Sequence, residues 1–174
     1  MDYVHSAVFS PDGSSVLTAS NDETAKVWSA ETGECTQTLS GHGDAVRSAI
    51  FSPDGSWVLT SSQDRTANIW SAETGECLQT LSGHGAAVRS AVFSPDGSRV
   101  HTASEDETAK IWSAETGERT QTLSDHMDDH WDIEGHWDFS YNDFVVTCSE
   151  LVEEMTALER RKDSEINRIA PRPR

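Results

Sequence analysis

Apolar and polar positions in this chain fall into short runs separated by turn residues, and residues 46 to 81 show the pattern most clearly. Val46 to Phe51 is a short apolar run that predicts a strand, ended by Ser52-Pro53-Asp54-Gly55. Proline presets the first turn angle, aspartate bonds its own backbone and glycine accepts positive φ, so this tetrad predicts a tight hairpin turn. Trp57 to Ser62 is the second expected strand, Gln63-Asp64-Arg65 the next turn, and Thr66 to Ser71 the third strand, which carries Trp70. Ala72-Glu73-Thr74-Gly75 turns the chain again and Glu76 to Leu81 is the fourth strand. The expected unit is four short antiparallel strands joined by hairpins.

The unit recurs. Phe9, Phe51 and Phe93 are 42 residues apart, as are Asp22, Asp64 and Asp106, and again Trp28, Trp70 and Trp112. A fixed period predicts a repeat architecture rather than an enzyme core. It also makes the copies controls for one another: what recurs is scaffold, and what varies is where function is to be sought.

Ser-Gly-His-Gly stands between units, at 40 to 43 and at 82 to 85. A Gly-His pair, an FSPDG turn, an aspartate in the following turn and a tryptophan on the third strand, repeated at 42 residues, resemble the WD-repeat family. The resemblance covers residues 2 to 126, with three blades in 2–124, at about 3–39, 45–81 and 87–123. One departure is plain. The Trp-Asp dipeptide that names the family reads Trp28-Ser29, Trp70-Ser71 and Trp112-Ser113 here.

The resemblance implies an all-β fold: a partial, open β-propeller of three four-stranded blades. It also implies a hydrogen-bonded chain in each blade, His42, Thr60, Asp64 and Trp70 in one and His84, Thr102, Asp106 and Trp112 in the next. The first copy has Thr18, Asp22 and Trp28 and no matching histidine. Histidine, aspartate and threonine also make nucleophilic triads, but a catalytic site occurs once, whereas this set returns with every blade. Partner-binding positions implied on the top face are the second residue of each first strand, His5, Arg47 and Arg89, and the residue before each turn aspartate, Asn21, Gln63 and Glu105. Arg47 and Arg89 stand out as cations able to grip a carboxylate or phosphate. The plainer reading is solvated charge at strand ends.

Past Ser124 the pattern changes. Asp125-His126 stands where Gly-His is expected, and residues 126 to 138 are dense in histidine and acid. His126 and His130 would share a helix face among carboxylates, as in a divalent-cation site. The preferred reading of 125–149 is a degenerate fourth repeat, because Phe139-Ser140-Tyr141-Asn142-Asp143 parallels FSPDG; misassembled or frameshifted sequence is the alternative. Leu151, Val152, Met155, Leu158, Ile166 and Ile169 recur at near-helical spacing until Pro171 and Pro173, so 150 to 169 is expected to be one amphipathic helix. Packing across an open blade edge is preferred over a coiled coil for it.

Charge sharpens the division. The last fifteen positions hold six of the thirteen basic residues and two acids, so they carry +4, and everything before them carries −21. Such a body repels phosphate backbones, which argues against nucleic-acid binding except through the tail. No basic-then-apolar leader opens the chain and no run approaches the roughly 18 apolar residues of a membrane span, so a soluble, cytoplasmic protein is expected. Cys35, Cys77 and Cys148 form neither a disulfide framework nor a zinc spacing.

No glycine-rich phosphate loop or nucleophile elbow appears. The function expected is a non-catalytic protein-interaction scaffold with no cofactor or bound metal, holding protein or peptide ligands. The alternatives are a sensor array detached from a signalling NTPase and, third, metal-dependent hydrolysis at the histidine cluster. Propellers close with about four to eight blades. Three blades therefore imply either a fragment of a longer array, the preferred reading, or self-association through open blade edges.

Overall fold

The computed structural model describes residues 3–124. The readings made for 125–149, for the helix at 150–169, for the histidine cluster and for Cys148 lie outside the described residues.

Each Ser-Pro-Asp-Gly tetrad turns the chain as its chemistry dictates. Gly13, Gly55 and Gly97 take φ of 74°, 76° and 73°, and each donates its N–H to the carbonyl of the serine three residues back. The tetrads join β1 (Val4–Phe9) to β2 (Ser15–Ser20), β5 (Val46–Phe51) to β6 (Trp57–Ser62), and β9 (Val88–Phe93) to β10 (Arg99–Ser104). The second turn of each unit leads into β3 (Thr24–Ser29), β7 (Thr66–Ser71) and β11 (Ala109–Ser113). The outer strands are β4 (Cys35–Ser40), β8 (Cys77–Ser82) and β12 (Arg119–Leu123). β8 lies one residue beyond the expected Glu76 to Leu81. Ser71 spends its N–H on the carbonyl of Glu76, closing the turn there, and the ladder slips between Ile69 and Trp70 so that Cys77 pairs with Trp70.

Each unit is thus a four-stranded antiparallel meander, β1-β2-β3-β4, β5-β6-β7-β8 and β9-β10-β11-β12. The described residues are all-β and form three propeller-type blades. The core lies between sheets rather than within one. Leu17, Val27 and Leu39 on the trailing face of the first blade pack against Val46, Val58 and Trp70 on the leading face of the second. Leu59, Ile69 and Leu81 then pack on Val88, Val100 and Trp112 in the same way. The leading face of the first blade is open: Val4 is 62 % exposed, whereas its counterparts Val46 and Val88 are at 0 %.

A polar clasp reinforces each junction. Gln37 Nε2 on β4 donates to the carbonyls of Ala72 (3.0 Å) and Glu73 (2.6 Å) in the next blade, and Gln79 Nε2 donates to Glu115 O at 3.1 Å.

Candidate functional site

Two sets of side chains merit a functional reading: a buried polar hub inside each blade and an exposed rim at the end of the array where β1, β5 and β9 begin.

In the second blade, Trp70 Nε1–H donates to Thr60 Oγ1 at 2.8 Å. Thr60 Oγ1 lies 2.8 Å from His42 Nε2, and His42 Nδ1 lies 2.8 Å from Asp64 Oδ2. Indole can only donate and an ionised carboxylate can only accept. One set of directions satisfies every atom: indole to hydroxyl, hydroxyl to His42 Nε2, and His42 Nδ1–H to Asp64. Asp64 also accepts from Gly43 N–H (3.0 Å), Thr66 N–H (2.9 Å) and the Thr66 hydroxyl (2.7 Å). Burial pushes the Asp64 carboxyl up, but the hydrogen bonds from Thr66, Gly43 and His42 outweigh it and hold the group below the ordinary carboxylate value.

The third blade repeats the arrangement with Trp112, Thr102, His84 and Asp106, at 2.8, 2.8 and 2.9 Å. Burial holds the His84 imidazole below its ordinary value despite the attraction of Asp106, with Lys110 and Arg119 adding to the shift. Asp106 is held low in turn: the bonds from Thr108, Gly85 and His84 overcome its desolvation. A neutral imidazole donating to an ionised carboxylate fits both directions.

In the first blade Trp28 Nε1–H donates to Thr18 Oγ1 at 2.9 Å, and Asp22 accepts from the Thr24 hydroxyl at 2.6 Å and pairs with Lys26 at 3.7 Å. The Thr24 bond leads in holding Asp22 below its ordinary value.

The hubs of the second and third blades are sealed. His42, Thr60, His84 and Thr102 are all buried, so no hydroxyl faces solvent as a nucleophile would. Their chemistry is to tie the connector before a blade to that blade's second and third strands. Residues that sequence reasoning passed over complete them. Thr24, Thr66 and Thr108 each brace the turn aspartate two residues before, a recurrence visible at the 42-residue period. The next alternate position does vary, as Lys26, Asn68 and Lys110, and buried Lys110 donates to Thr108 Oγ1 at 2.6 Å.

At the rim, His5 Nε2 lies 2.6 Å from Asn21 Oδ1 and 3.0 Å from Arg47 Nη1. The structure therefore gathers His5, Asn21 and Arg47 across the first junction. One nitrogen cannot both donate to an amide oxygen and accept from a guanidinium, so the imidazole's proton decides between these contacts. Arg89 instead pairs within its own blade: its Nε donates to Glu105 Oε1 at 2.7 Å, and Nη2 closes on the same oxygen. Gln63 donates its backbone N–H to Ala45 O. Of the two arginines, Arg89 is thus already matched by a carboxylate, while Arg47 Nε is buried with no hydrogen-bond partner.

Cys35 and Cys77 are free and exposed. Among the described residues no helix is long and apolar enough to cross a membrane, and no group of three or more His, Cys, Asp or Glu side chains is placed to hold a metal ion.

The family model described as "WD domain, G-beta repeat" matches residues 2–29, 33–71 and 75–113, together more than half of the chain. No curated protein matches. Two solved structures that the chain resembles are described as "Structure of U3-55K" and "Crystal structure of RRP9 WD40 repeats"; each is 26% identical, with a TM-score of 0.68 over 72% of this chain. The chain spans 40% and 39% of their respective lengths.

Proposed function

The chain belongs to the WD-repeat family, and from that premise we propose that it is a non-catalytic scaffold that holds a protein or peptide partner at the rim formed by His5, Asn21, Arg47, Gln63, Arg89 and Glu105. The observation that carries the reading is the contrast between copies. The hub positions Thr18, Thr60 and Thr102, like their aspartates and tryptophans, are identical in all three blades, whereas the rim reads His-Arg-Arg and Asn-Gln-Glu. A scaffold keeps what it packs and varies what it presents. Arg47 is the residue best suited to a carboxylate or phosphate on the partner, because its guanidinium lies against the His5 imidazole, whereas that of Arg89 is already matched by Glu105.

The test is binding of a labelled acidic peptide carrying phosphoserine, against Arg47→Ala and Arg89→Ala together. A loss of about tenfold or more in a variant that stays folded at the assay temperature supports the rim. Unchanged affinity retires it. Exposed thiols at Cys35 and Cys77 suit a reducing, cytoplasmic setting for this activity.

We read the three blades as part of a larger ring. The support is the open leading face of the first blade, where Val4 and Phe9 stand exposed, together with the share of the neighbours' length that the chain spans. Light scattering distinguishes a 19.1 kDa monomer from a ring built between copies.

A further inference from the structure

The rim holds two arginines at one repeat position, and their surroundings differ in charge. Arg89 on β9 donates through Nε to Glu105 Oε1 at 2.7 Å, with Nη2 on the same oxygen. Glu105 is the residue before the turn aspartate, and its counterpart in the second blade is Gln63. The second blade thus offers an amide where the third offers a carboxylate. Arg47 reaches instead over the first junction, where its Nη1 lies 3.0 Å from His5 Nε2. The Arg89–Glu105 pair shows what an arginine on this strand position grips when a carboxylate is within reach.

His5 Nε2 also lies 2.6 Å from Asn21 Oδ1. A neutral imidazole with its proton on Nδ1 presents a lone pair at Nε2, which accepts from Arg47 and engages the guanidinium. An imidazolium carries a proton on both nitrogens. Nε2–H is then committed to the Asn21 oxygen, and a second positive charge stands beside that of Arg47. Two cations at this distance repel unless an anion joins them.

We propose, resting on the rim reading above, that His5 and Arg47 form a proton-loaded carboxylate site. Proton uptake by His5 releases Arg47 from the imidazole, and the two cations together hold an aspartate or glutamate side chain of the partner. That side chain supplies to Arg47 what Glu105 supplies to Arg89. Grip on an acidic partner therefore strengthens as pH falls from about 7.5 to 5.5, the range in which imidazoles take up a proton. Among the described residues, the other titratable groups on the elements around the imidazole are Tyr3, Asp22 and Glu23 in the turn that carries Asn21, and Asp44 before β5. Asp22 is paired with Lys26 at 3.7 Å, and Asp44 accepts from the Ala45 N–H at 2.7 Å.

The probe is a labelled nonapeptide of glutamate and serine, whose carboxylates stay ionised over this range. Fluorescence anisotropy should show a Kd about three- to fivefold lower at pH 5.5 than at pH 7.5. His5→Asn, at an exposed position, has no charge to gain and should bind equally at both pH values. Arg47→Ala should weaken binding at both. Affinity indifferent to pH, or a pH effect that persists in His5→Asn, overturns the proton-loaded site; if Arg47→Ala still weakens binding, the rim reading stands. Binding untouched by Arg47→Ala, or absent up to about 1 mM at either pH, overturns the carboxylate site itself. A measurement without peptide checks the release step. In an NMR titration the Arg47 Nε–H resonance should move with the same midpoint as the His5 ring protons, and a resonance that stays still through the His5 titration overturns the coupling.

Discussion

Gln37 and Gly75 belong to different blades, yet a Cβ on Gly75 would meet Gln37 Oε1 at 3.0 Å. The glutamine reaches over the junction because the turn it clasps has no side chain in its way. Gly117 stands in the same relation to Gln79, at 2.8 Å, whereas Gly33 has nothing within 4 Å.

That contrast yields a graded stability series. All three glycines have φ between 70° and 73°, so alanine at any of them costs about 1–2 kcal/mol in backbone strain. Gly33→Ala should cost that alone. Gly75→Ala and Gly117→Ala should cost about a further 1 kcal/mol each, since the clasp must shift or break. Urea unfolding midpoints would show the order, and equal losses at all three positions would remove the clasp as a stabilising contact.

The hub threonines supply a second internal comparison. Thr60→Val leaves Trp70 Nε1 unpaired in a buried site, and leaves His42 Nε2 with the longer contact to Asn68 Nδ2 at 3.3 Å, so it should cost about 2–3 kcal/mol. Thr18→Val removes a single indole bond at a partly exposed tryptophan and should cost about 1 kcal/mol or less. Comparable losses in the two variants would mean that the histidine link contributes nothing.

Acid should unfold the array in two stages. The folded His84 pKa lies below the ordinary 6.5, so the unfolded chain binds this proton more readily; stability is lost as pH falls from about 6.5 through the folded value. Asp64, Asp12, Asp54 and Asp96 also lie below their ordinary 3.8, the last three at about 2. Their contribution is complete above about 4 and lost as pH falls towards 2. Melting temperature followed from pH 7 downwards should decline gently and then steeply below about 4, and His84→Asn should flatten the first stage. A rise in stability on acidification would contradict both assignments.

Arg89 and Glu105 form a partly exposed pair, so Arg89→Ala should cost under about 1 kcal/mol, with the cost shrinking as salt rises. Melting at low and high ionic strength checks this. A loss as large as that for Thr60→Val would mean that the pair has a packing role.

The blades were legible in the sequence because their turns are written in residues with narrow conformational roles, Pro53-Asp54-Gly55 above all. The hub was named through the resemblance to the WD-repeat family, which says that His42, Thr60, Asp64 and Trp70 join; recurrence at the 42-residue period marked such residues as scaffold without saying which of them bond. The clasp was not legible. Gln37 finds backbone carbonyls of Ala72 and Glu73, and a carbonyl has no residue identity to read. Nor was the fate of the rim arginines. Arg47 and Arg89 occupy one repeat position, yet the first lies against His5 and the second against Glu105, because the neighbour within reach differs from blade to blade. The one-residue offset of β8 came from the slip in the ladder beside Trp70, a backbone event with no side-chain signature.

His42 follows the outer strand of one blade and serves the hub of the next, so a unit cut at any point and rejoined 42 residues later presents matched surfaces on both sides of the join. Unequal crossing-over between copies of such a gene would add or delete whole blades in frame, with the recurring hub and core contacts kept at the new junction. The number of blades is then a length that recombination can change in a single event, while the identity of each rim residue changes only by point mutation.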